Sequence, residues 1–151
     1  MTITADGIEE IKALAGRDLG ASGWLEITQE RIDAFAAATG DHQWIHVDPE
    51  RAAAGPFGRT IAHGYLTLAL VIPFFNELLE VRGVSMSVNY GLDRVRFPAP
   101  VPVGAKIRLA ARVGEVAEVT GGVQMALDFT VEVDGAEKPA CVARPIYRHF
   151  L

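Results

Sequence analysis

The segment GYLTLALVIPFFNELL, residues 64–79, is the most apolar part of the chain. Apolar residues occupy nearly every position, so a helix formed here would be apolar on almost all of its faces, and the rest of the domain must cover it. The segment is shorter than the ~20 residues that a membrane-spanning helix needs, and Pro73 interrupts it. We therefore expect a buried central helix, bent at Pro73, and no membrane span.

The second half of the chain changes to a two-residue period, which is typical of half-buried strands. Apolar and polar residues alternate within residues 84–90, 107–113 and 123–133. Turn signals separate these runs at Gly121-Gly122 and at Asp134-Gly135. Pro145 lies in the last apolar run, where it predicts an edge strand or a bulge. The pattern indicates a long antiparallel sheet that is solvated on one face.

Shorter elements precede the apolar segment. Residues 8–14 have a short helical pattern, and residues 24–27 read as a strand. A helix is expected over residues 29–38, with Thr28 as its N-cap and Gly40 ending it. Asp48-Pro49 begins a short helix that ends at Gly55-Pro56, whereas residues 41–47 and 57–63 show neither period. We expect one α+β domain over residues 1–151, with the sheet wrapped around the central helix.

Composition excludes several classes of function. The net charge is −5 without a basic cluster, which argues against nucleic-acid binding because phosphates need concentrated Lys and Arg. Cys141 is the only cysteine, so neither an intrachain disulfide nor a thiolate metal cluster can form. The N-terminus lacks the basic and apolar regions of a signal peptide. These features favour a cytoplasmic protein that binds neither nucleic acid nor membrane.

The densest group of reactive side chains is GDHQWIH, residues 40–46. Asp41 and His46 are five residues apart, which would place them about 140° apart on a helix and on opposite faces of a strand. They can converge only across an irregular loop. A carboxylate and an imidazole that share a water molecule form an acid/base unit. Spacing alone is weak evidence, since Asp41 could equally cap the loop and His46 could be an ordinary polar residue.

Other chemistries lack their signatures. The histidines do not have the spacing of a zinc site, and no metal is expected. The serines lack the context of a catalytic nucleophile, and no glycine-rich dinucleotide motif is present. His42 and His149 are expected to be structural or exposed.

The wider context of the pair is more specific. Phe35-x4-Gly40-Asp41-x4-His46, followed by Ala52 and by Ala62-His63-Gly64 before an apolar helix, resembles the hydratase motif of the MaoC-like family. The resemblance runs from about Trp24 to the C-terminus and includes residues 96–101. That family contains (R)-specific enoyl-CoA hydratases and nodulation protein N-like proteins. The resemblance implies a hot-dog fold and a homodimer. One departure is Trp44-Ile45, where the family usually has Asn before Pro.

The resemblance implies a mechanism. Asp41 and His46 would activate a water that adds to the β-carbon of a trans-2-enoyl-CoA, giving an (R)-3-hydroxyacyl-CoA. Coenzyme A would be part of the substrate, and no separate cofactor is expected. Gly64 begins the apolar helix, so its free backbone N–H could stabilise negative charge on the thioester oxygen. Further candidates for substrate binding are His63, Trp44, Asn89, Tyr90, Arg94 and Arg96, of which the two arginines could face the phosphates of CoA.

Two other functions fit the same fold. A thioesterase would direct water at the carbonyl carbon, although the paired His46 argues against it. A non-catalytic subunit would bind acyl thioesters without converting them. The sequence leaves three points open. They are the acyl chain length, the choice between CoA and acyl-carrier-protein thioesters, and which of Asp41 and His46 is the base in each direction.

Overall fold

The computed structural model describes residues 1–151. The helices are α1 (Gly7–Lys12), α2 (Gln29–Thr39), α3 (Trp44–Val47), α4 (Pro49–Ala53), α5 (Gly64–Ala69) and α6 (Val71–Leu78). The strands are β1 (Ile3–Asp6), β2 (Asp18–Ala21), β3 (Leu25–Glu26), β4 (Leu79–Arg82), β5 (Met86–Arg96), β6 (Lys106–Val119), β7 (Gly122–Val133) and β8 (Cys141–Phe150). None of the helices combines the length and the apolar character that are needed to cross a bilayer.

The main sheet is antiparallel with the strand order β2-β6-β7-β8-β5, and β3 pairs with the beginning of β6. The two-residue period predicted for residues 107–113 and 123–133 is confirmed, because the apolar residues of both runs are buried and form much of the core. A small parallel ribbon of β1 and β4, which the sequence patterns did not reveal, joins the N-terminus to the end of α6.

Pro145 lies beside a bulge, but in a strand inside the sheet and not at its edge. Strand β8 lies between β7 and β5, so the expectation of an edge strand is wrong. The alternative of a bulge is confirmed: the register of β5 against β8 shifts between Leu92, which is opposite Pro145, and Val95, which is opposite Ala143. The bulge accommodates a residue that has no N–H to donate to the ladder.

The apolar segment forms two helices instead of one. Helices α5 and α6 meet at Leu70, because the ring of Pro73 would clash with the carbonyl group of Ala69 in a continuous helix. The prediction that the domain covers this segment on all sides is wrong for a single chain. One side packs on the sheet through residues such as Leu66 and Phe74, whereas Tyr65 is 72% exposed and Ile72 is 38% exposed.

The caps predicted at Thr28, Gly40 and Asp48 are confirmed. Thr28 Oγ1 accepts a hydrogen bond from the Arg31 N–H at 3.2 Å, and Asp48 Oδ1 accepts one from the Arg51 N–H at 3.1 Å. Gly40 ends α2 in the left-handed conformation with φ 81°. The prediction of an irregular segment over residues 41–47 is only partly correct, because the last four of these residues form the single turn of α3. One turn is too short to show a period.

Candidate active site

The capped end of α2 positions the loop that carries Asp41. The left-handed turn at Gly40 ends α2 and directs the chain into residues 41–43, which connect to α3. Asp41 is anchored there weakly: its N–H lies 3.4 Å from Thr39 Oγ1, and its own Oδ1 lies 3.4 Å from the Gln43 N–H. Its carboxylate is exposed, while His46 on α3 is 7% exposed. An exposed carboxylate therefore stands beside a buried imidazole.

The structure brings together the two residues on which the sequence interpretation depends. One carboxylate oxygen of Asp41 and one ring nitrogen each of His46 and His63 all lie within 4.8 Å of one another. The separation of five residues along the chain is bridged by the irregular residues before α3, as the spacing analysis requires. Asp41 and His46 can therefore contact one small molecule together, whereas His63 is 2% exposed, with one ring nitrogen bonded to backbone and the other buried.

A backbone contact determines which nitrogen of His46 is free. His46 Nδ1 lies 2.7 Å from the carbonyl oxygen of Ile61. Since a carbonyl oxygen only accepts, Nδ1 carries the proton, and in the neutral ring Nε2 is an unprotonated acceptor. Nε2 makes no hydrogen bond within the chain and is not fully buried. It is therefore available to take a proton from a bound molecule.

Burial lowers the pKa of His46 below its ordinary value of 6.5. The hydrogen bond to Ile61 and the charge of Asp41 act in the opposite direction, whereas His63 contributes a further lowering. Because the net shift is downward, His46 is neutral near pH 7. The neutral ring with its free Nε2 is the form in which a histidine acts as a base.

His63 supports this pair from the position before α5. Its ring stacks on His46 with centroids 3.9 Å apart, and its Nε2–H donates to the backbone oxygen of Asp41 at 3.0 Å. Phe35 packs on its other side with centroids 4.8 Å apart. The bond to backbone agrees with the reading of His63 as a loop histidine, but the stacking on His46 had no signal in the sequence. His63 holds the loop of Asp41 against the ring of His46.

Gly64 is the first residue of α5, so its N–H has no acceptor within the helix. A side chain at this position would meet another residue, since an added Cβ would lie 3.3 Å from ring atoms of Phe97. The ring of Phe97, which is 41% exposed, therefore lies directly against the backbone of Gly64. Glycine allows this close approach next to a free backbone donor.

Gln29 is a positioning residue that sequence analysis missed. Its Nε2 donates to the backbone oxygen of His46 at 2.8 Å, and its Oε1 accepts from Thr60 Oγ1 at 2.6 Å. Thr60 is 1% exposed, and the next residue, Ile61, accepts the bond from His46. The amide of Gln29 thus ties α3 to the segment that sets the tautomer of His46. A glutamine in the first turn of a helix gives no sign of such a role.

Two of the remaining candidates have clear locations. Trp44 packs on α4. The guanidinium of Arg51 lies 4.4 Å from the centroid of the Trp44 ring, and an added Cβ on Gly55 would lie 2.9 Å from an atom of that ring. Asn89 lines a cavity of about 500 Å³ between α6 and β5. Substrate binding by these residues stays a prediction.

The other candidates on β5 lie outside that cavity. Tyr90 is 58% exposed, and Arg148 stacks over its ring at 3.5 Å from the centroid. Arg96 donates to the backbone oxygen of Val95 at 2.7 Å, and Arg94 is exposed without an ion pair. Of the histidines expected to be structural or exposed, His42 is exposed and His149 is buried in β8.

The arrangement of the three grouped side chains favours proton transfer over metal binding. A tetrahedral zinc site needs ligand nitrogens that converge on one point about 2 Å from each of them. The rings of His46 and His63 are stacked at an interplanar angle of 23°, so their nitrogens lie side by side instead of converging.

Comparison with known proteins agrees with the sequence resemblance. The family model for the MaoC like domain matches residues 10–134. The chain is 53% identical to 3-hydroxyacyl-thioester dehydratase Z of Mycobacterium tuberculosis over 147 residues, which is 97% of each protein. It is 43% identical to nodulation protein N of Rhizobium meliloti over 139 residues, covering 90% of this chain and 86% of that protein.

The fold comparison extends to solved structures. The (R)-hydratase from A. caviae involved in PHA biosynthesis superimposes with a TM-score of 0.73 at 24% identity, covering 88% of this chain and 94% of the other. At that identity the likeness concerns the fold alone. The predicted hot-dog fold, with an antiparallel sheet and a central helix, is confirmed.

We predict that Gln29→Met lowers the free energy of unfolding by about 1–3 kcal/mol, because the buried Thr60 hydroxyl and the His46 carbonyl lose their partner. Urea unfolding followed by circular dichroism measures the change. Gln43→Met is the matched control, since the Gln43 side chain is exposed and makes no hydrogen bond; it should cost less than about 0.5 kcal/mol. Equal stabilities of the two variants would contradict the role assigned to Gln29.

Proposed function

Since the chain belongs to the MaoC-like dehydratase family, it is a hydro-lyase of 3-hydroxyacyl thioesters, and we propose that it interconverts trans-2-enoyl-CoA and (R)-3-hydroxyacyl-CoA. The observation that carries the proposal is the convergence of the Asp41 carboxylate with the ring of His46 within 4.8 Å. The finer assignments, to CoA thioesters and to the (R) product, follow the family resemblance of residues 40–64.

In the hydration direction, the attacking water is held between the Asp41 carboxylate and His46 Nε2. His46 is neutral and its Nε2 is unprotonated, so we assign to it the acceptance of the water's proton. The hydroxide adds to the β-carbon, and the same proton returns to the α-carbon on the same face of the substrate. One water is consumed and no net proton is gained. In this assignment Asp41 orients the water.

The developing charge on the thioester oxygen is stabilised by the Gly64 N–H. This group has no acceptor within α5, and the backbone at Gly64 is bare of a side chain. Loss of one such donor typically lowers kcat by ~10²–10³. The acid/base pair contributes roughly 10²–10⁴. The two contributions together are large enough for an enzyme.

The CoA part of the substrate requires basic groups at the surface. Arg94 and Arg96 lie on the exposed strand β5, which ends beside Phe97 and therefore close to Gly64. Neither arginine forms an ion pair within the chain, so both can bind phosphate. We assign the phosphates of CoA to this pair, with His63, Trp44 and Asn89 supporting the loops and cavity around the acyl part.

We also propose that the protein is a homodimer. Strand β5 pairs with β8 on one side only, and its other edge is unpaired over eleven residues. Exposed apolar side chains surround this edge, namely Met86, Tyr90, Leu92, Phe97, Tyr65 and Ile72. A long unpaired edge with apolar neighbours is normally covered. A second copy that pairs β5 with β5 around a two-fold axis covers both edges at once.

The activity is tested by adding crotonyl-CoA and longer trans-2-enoyl-CoAs and following the loss of the conjugated-thioester absorbance. Asp41→Asn and His46→Gln should each lower kcat by about 10²–10⁴, with unchanged circular dichroism. His42→Gln is the matched control, because His42 is exposed beside Asp41; its kcat should stay within about twofold of the wild type. Release of free thiol without loss of the chromophore would indicate a thioesterase and contradict the proposal.

The pKa of His46 sets the pH dependence. Because burial lowers this pKa, the neutral base persists below pH 6.5, and kcat/KM for hydration should be half-maximal at a pH below 6.5. Because the folded state favours the neutral ring of His46, this histidine leaves the free energy of unfolding unchanged above pH 6.5 and lowers it as the pH falls below that value. Stopped-flow assays across pH 5–8 measure kcat/KM for hydration as a function of pH. A half-maximal value above pH 6.5 would contradict the role of His46 as the base.

The dimer is tested by sedimentation velocity at micromolar concentration, where the wild type should sediment with twice the mass of one chain. Met86→Glu places a charge on the edge of β5, where the residue is 53% exposed, and should shift the protein to the monomer. Phe57→Glu, at a 47% exposed apolar residue in the loop after α4, is the control and should remain dimeric. A monomeric wild type would refute the assignment.

A further inference from the structure

A groove runs beside the two central helices, away from the catalytic pair. It consists of two adjoining cavities between the helices and the strands β5 and β8, with volumes of about 210 Å³ and about 500 Å³. The smaller cavity begins at Tyr65, the residue after Gly64, and the larger one extends to Leu79, the first residue of β4. Ile72, Asn89 and Tyr147 line both cavities, so the two lie next to each other.

The sheet side of this groove becomes more polar with distance from Gly64. In the smaller cavity the sheet contributes Leu92 and Pro145, which are opposite each other across β5 and β8, together with Asn89 and Tyr147 at its far end. The larger cavity shares the cross-strand pair of Asn89 and Tyr147 with the smaller one and adds a second pair, Ser87 with His149. Every member of these two pairs carries a hydrogen-bonding group.

Two buried groups of this polar wall have no partner within the chain. Tyr147 and His149 are 6% and 3% exposed, and the Tyr147 hydroxyl and His149 Nε2 make no hydrogen bond. The other nitrogen of His149, Nδ1, lies 2.8 Å from Ser87 Oγ. Buried polar groups are normally paired because an unpaired one costs free energy. Two such groups on one face of β8, both lining the same cavity, indicate a site for a hydrogen-bonding ligand.

The chemistry of the wall selects a neutral ligand. Burial raises the pKa of Tyr147 and lowers the pKa of His149, so both side chains are uncharged. The charged residue of the lining, Glu80, is exposed and paired with Arg82 at 2.9 Å. A phenol O–H and a neutral imidazole together suit an oxygen that can accept and donate, such as that of a hydroxyl group.

The position of the polar wall defines which part of a substrate could reach it. Ile72 lies eight residues after Gly64 and Leu79 lies fifteen residues after it. At about 1.5 Å per helical residue, and with α5 and α6 end to end, the larger cavity lies at most roughly 12–22 Å from Gly64. With C–C bonds of about 1.5 Å, an acyl chain bound at Gly64 reaches the cavity on the order of ten carbons from its thioester.

We propose that the groove binds the acyl chain of the substrate, and that Tyr147 and His149 recognise a hydroxyl group carried on the distal part of that chain. The inference rests on the proposed function and extends it by naming a substrate class, long enoyl thioesters that bear a neutral oxygen far from the reacting carbons. The apolar section at Leu92 and Pro145 accommodates the methylene groups between the two ends.

The test compares kcat/KM for trans-2-enoyl-CoAs of one length, about fourteen carbons, that carry a single hydroxyl group at successive positions in the distal half, with the unsubstituted chain. We expect at least one position to raise kcat/KM by about three- to tenfold, the range that one neutral hydrogen bond supplies. Tyr147→Phe should lower the ratio of kcat/KM for the hydroxylated chain to kcat/KM for the unsubstituted chain by about threefold or more. The variant removes an unpaired hydroxyl and keeps the ring, so it should fold as the wild type does.

Thr130→Val is the matched control, since it removes a hydroxyl group from the opposite face of the same sheet, between the buried Phe129 and Val131; the ratio should stay at the wild-type value. Hydration of the unsubstituted chain with no gain from a hydroxyl at any position would overturn this inference and leave the proposed function intact. Failure to hydrate any enoyl-CoA would instead refute the proposed function, and this inference with it.

Discussion

The hydrogen bond from His46 Nδ1 to the carbonyl oxygen of Ile61 is the contact on which the site depends. It leaves Nε2 as the free acceptor, and it joins α3 to the segment that leads into α5. The same segment is held by neighbouring backbone bonds, from the Ile61 N–H to the Ile45 oxygen at 3.0 Å and from the Ala62 N–H to the Val101 oxygen at 2.8 Å. Because the backbone fixes this bond on both sides, the tautomer of His46 is a property of the fold.

The rest of the structure buries His46 and the hydrogen bond that it makes. The inward residues of β6 and β7 are almost completely buried, and they pack against α5 and α6. Burial of His46 at the edge of this core lowers its pKa, while the exposed Asp41 remains in contact with water. The site thus places a desolvated imidazole beside a solvated carboxylate, and the boundary of the core separates the two environments. The same helices and sheet form the groove that begins at Tyr65.

Sequence patterns predicted those features whose causes are local. The caps at Thr28 and Asp48 and the turn at Gly121 depend on residues only a few positions apart, and all three are present. Asp41 and His46 could be recognised because the family motif surrounds them. Gln29 could not, because its partners His46 and Thr60 are seventeen and thirty-one residues away and an amide side chain has no characteristic spacing. The same limit applies to the stacking of His63 on His46.

The sequence by itself determined the alternation of β6 and β7, the position of the central helices, and the residue types that can perform acid/base chemistry. These follow from the periods of strand and helix and from side-chain chemistry, which act over short distances along the chain. The tertiary structure alone decided that β8 lies inside the sheet, that one side of the helices stays exposed, and that Tyr147 and His149 face one cavity. The reason is physical: strand order and cavity shape result from contacts between distant residues, and local patterns do not encode which distant residues meet.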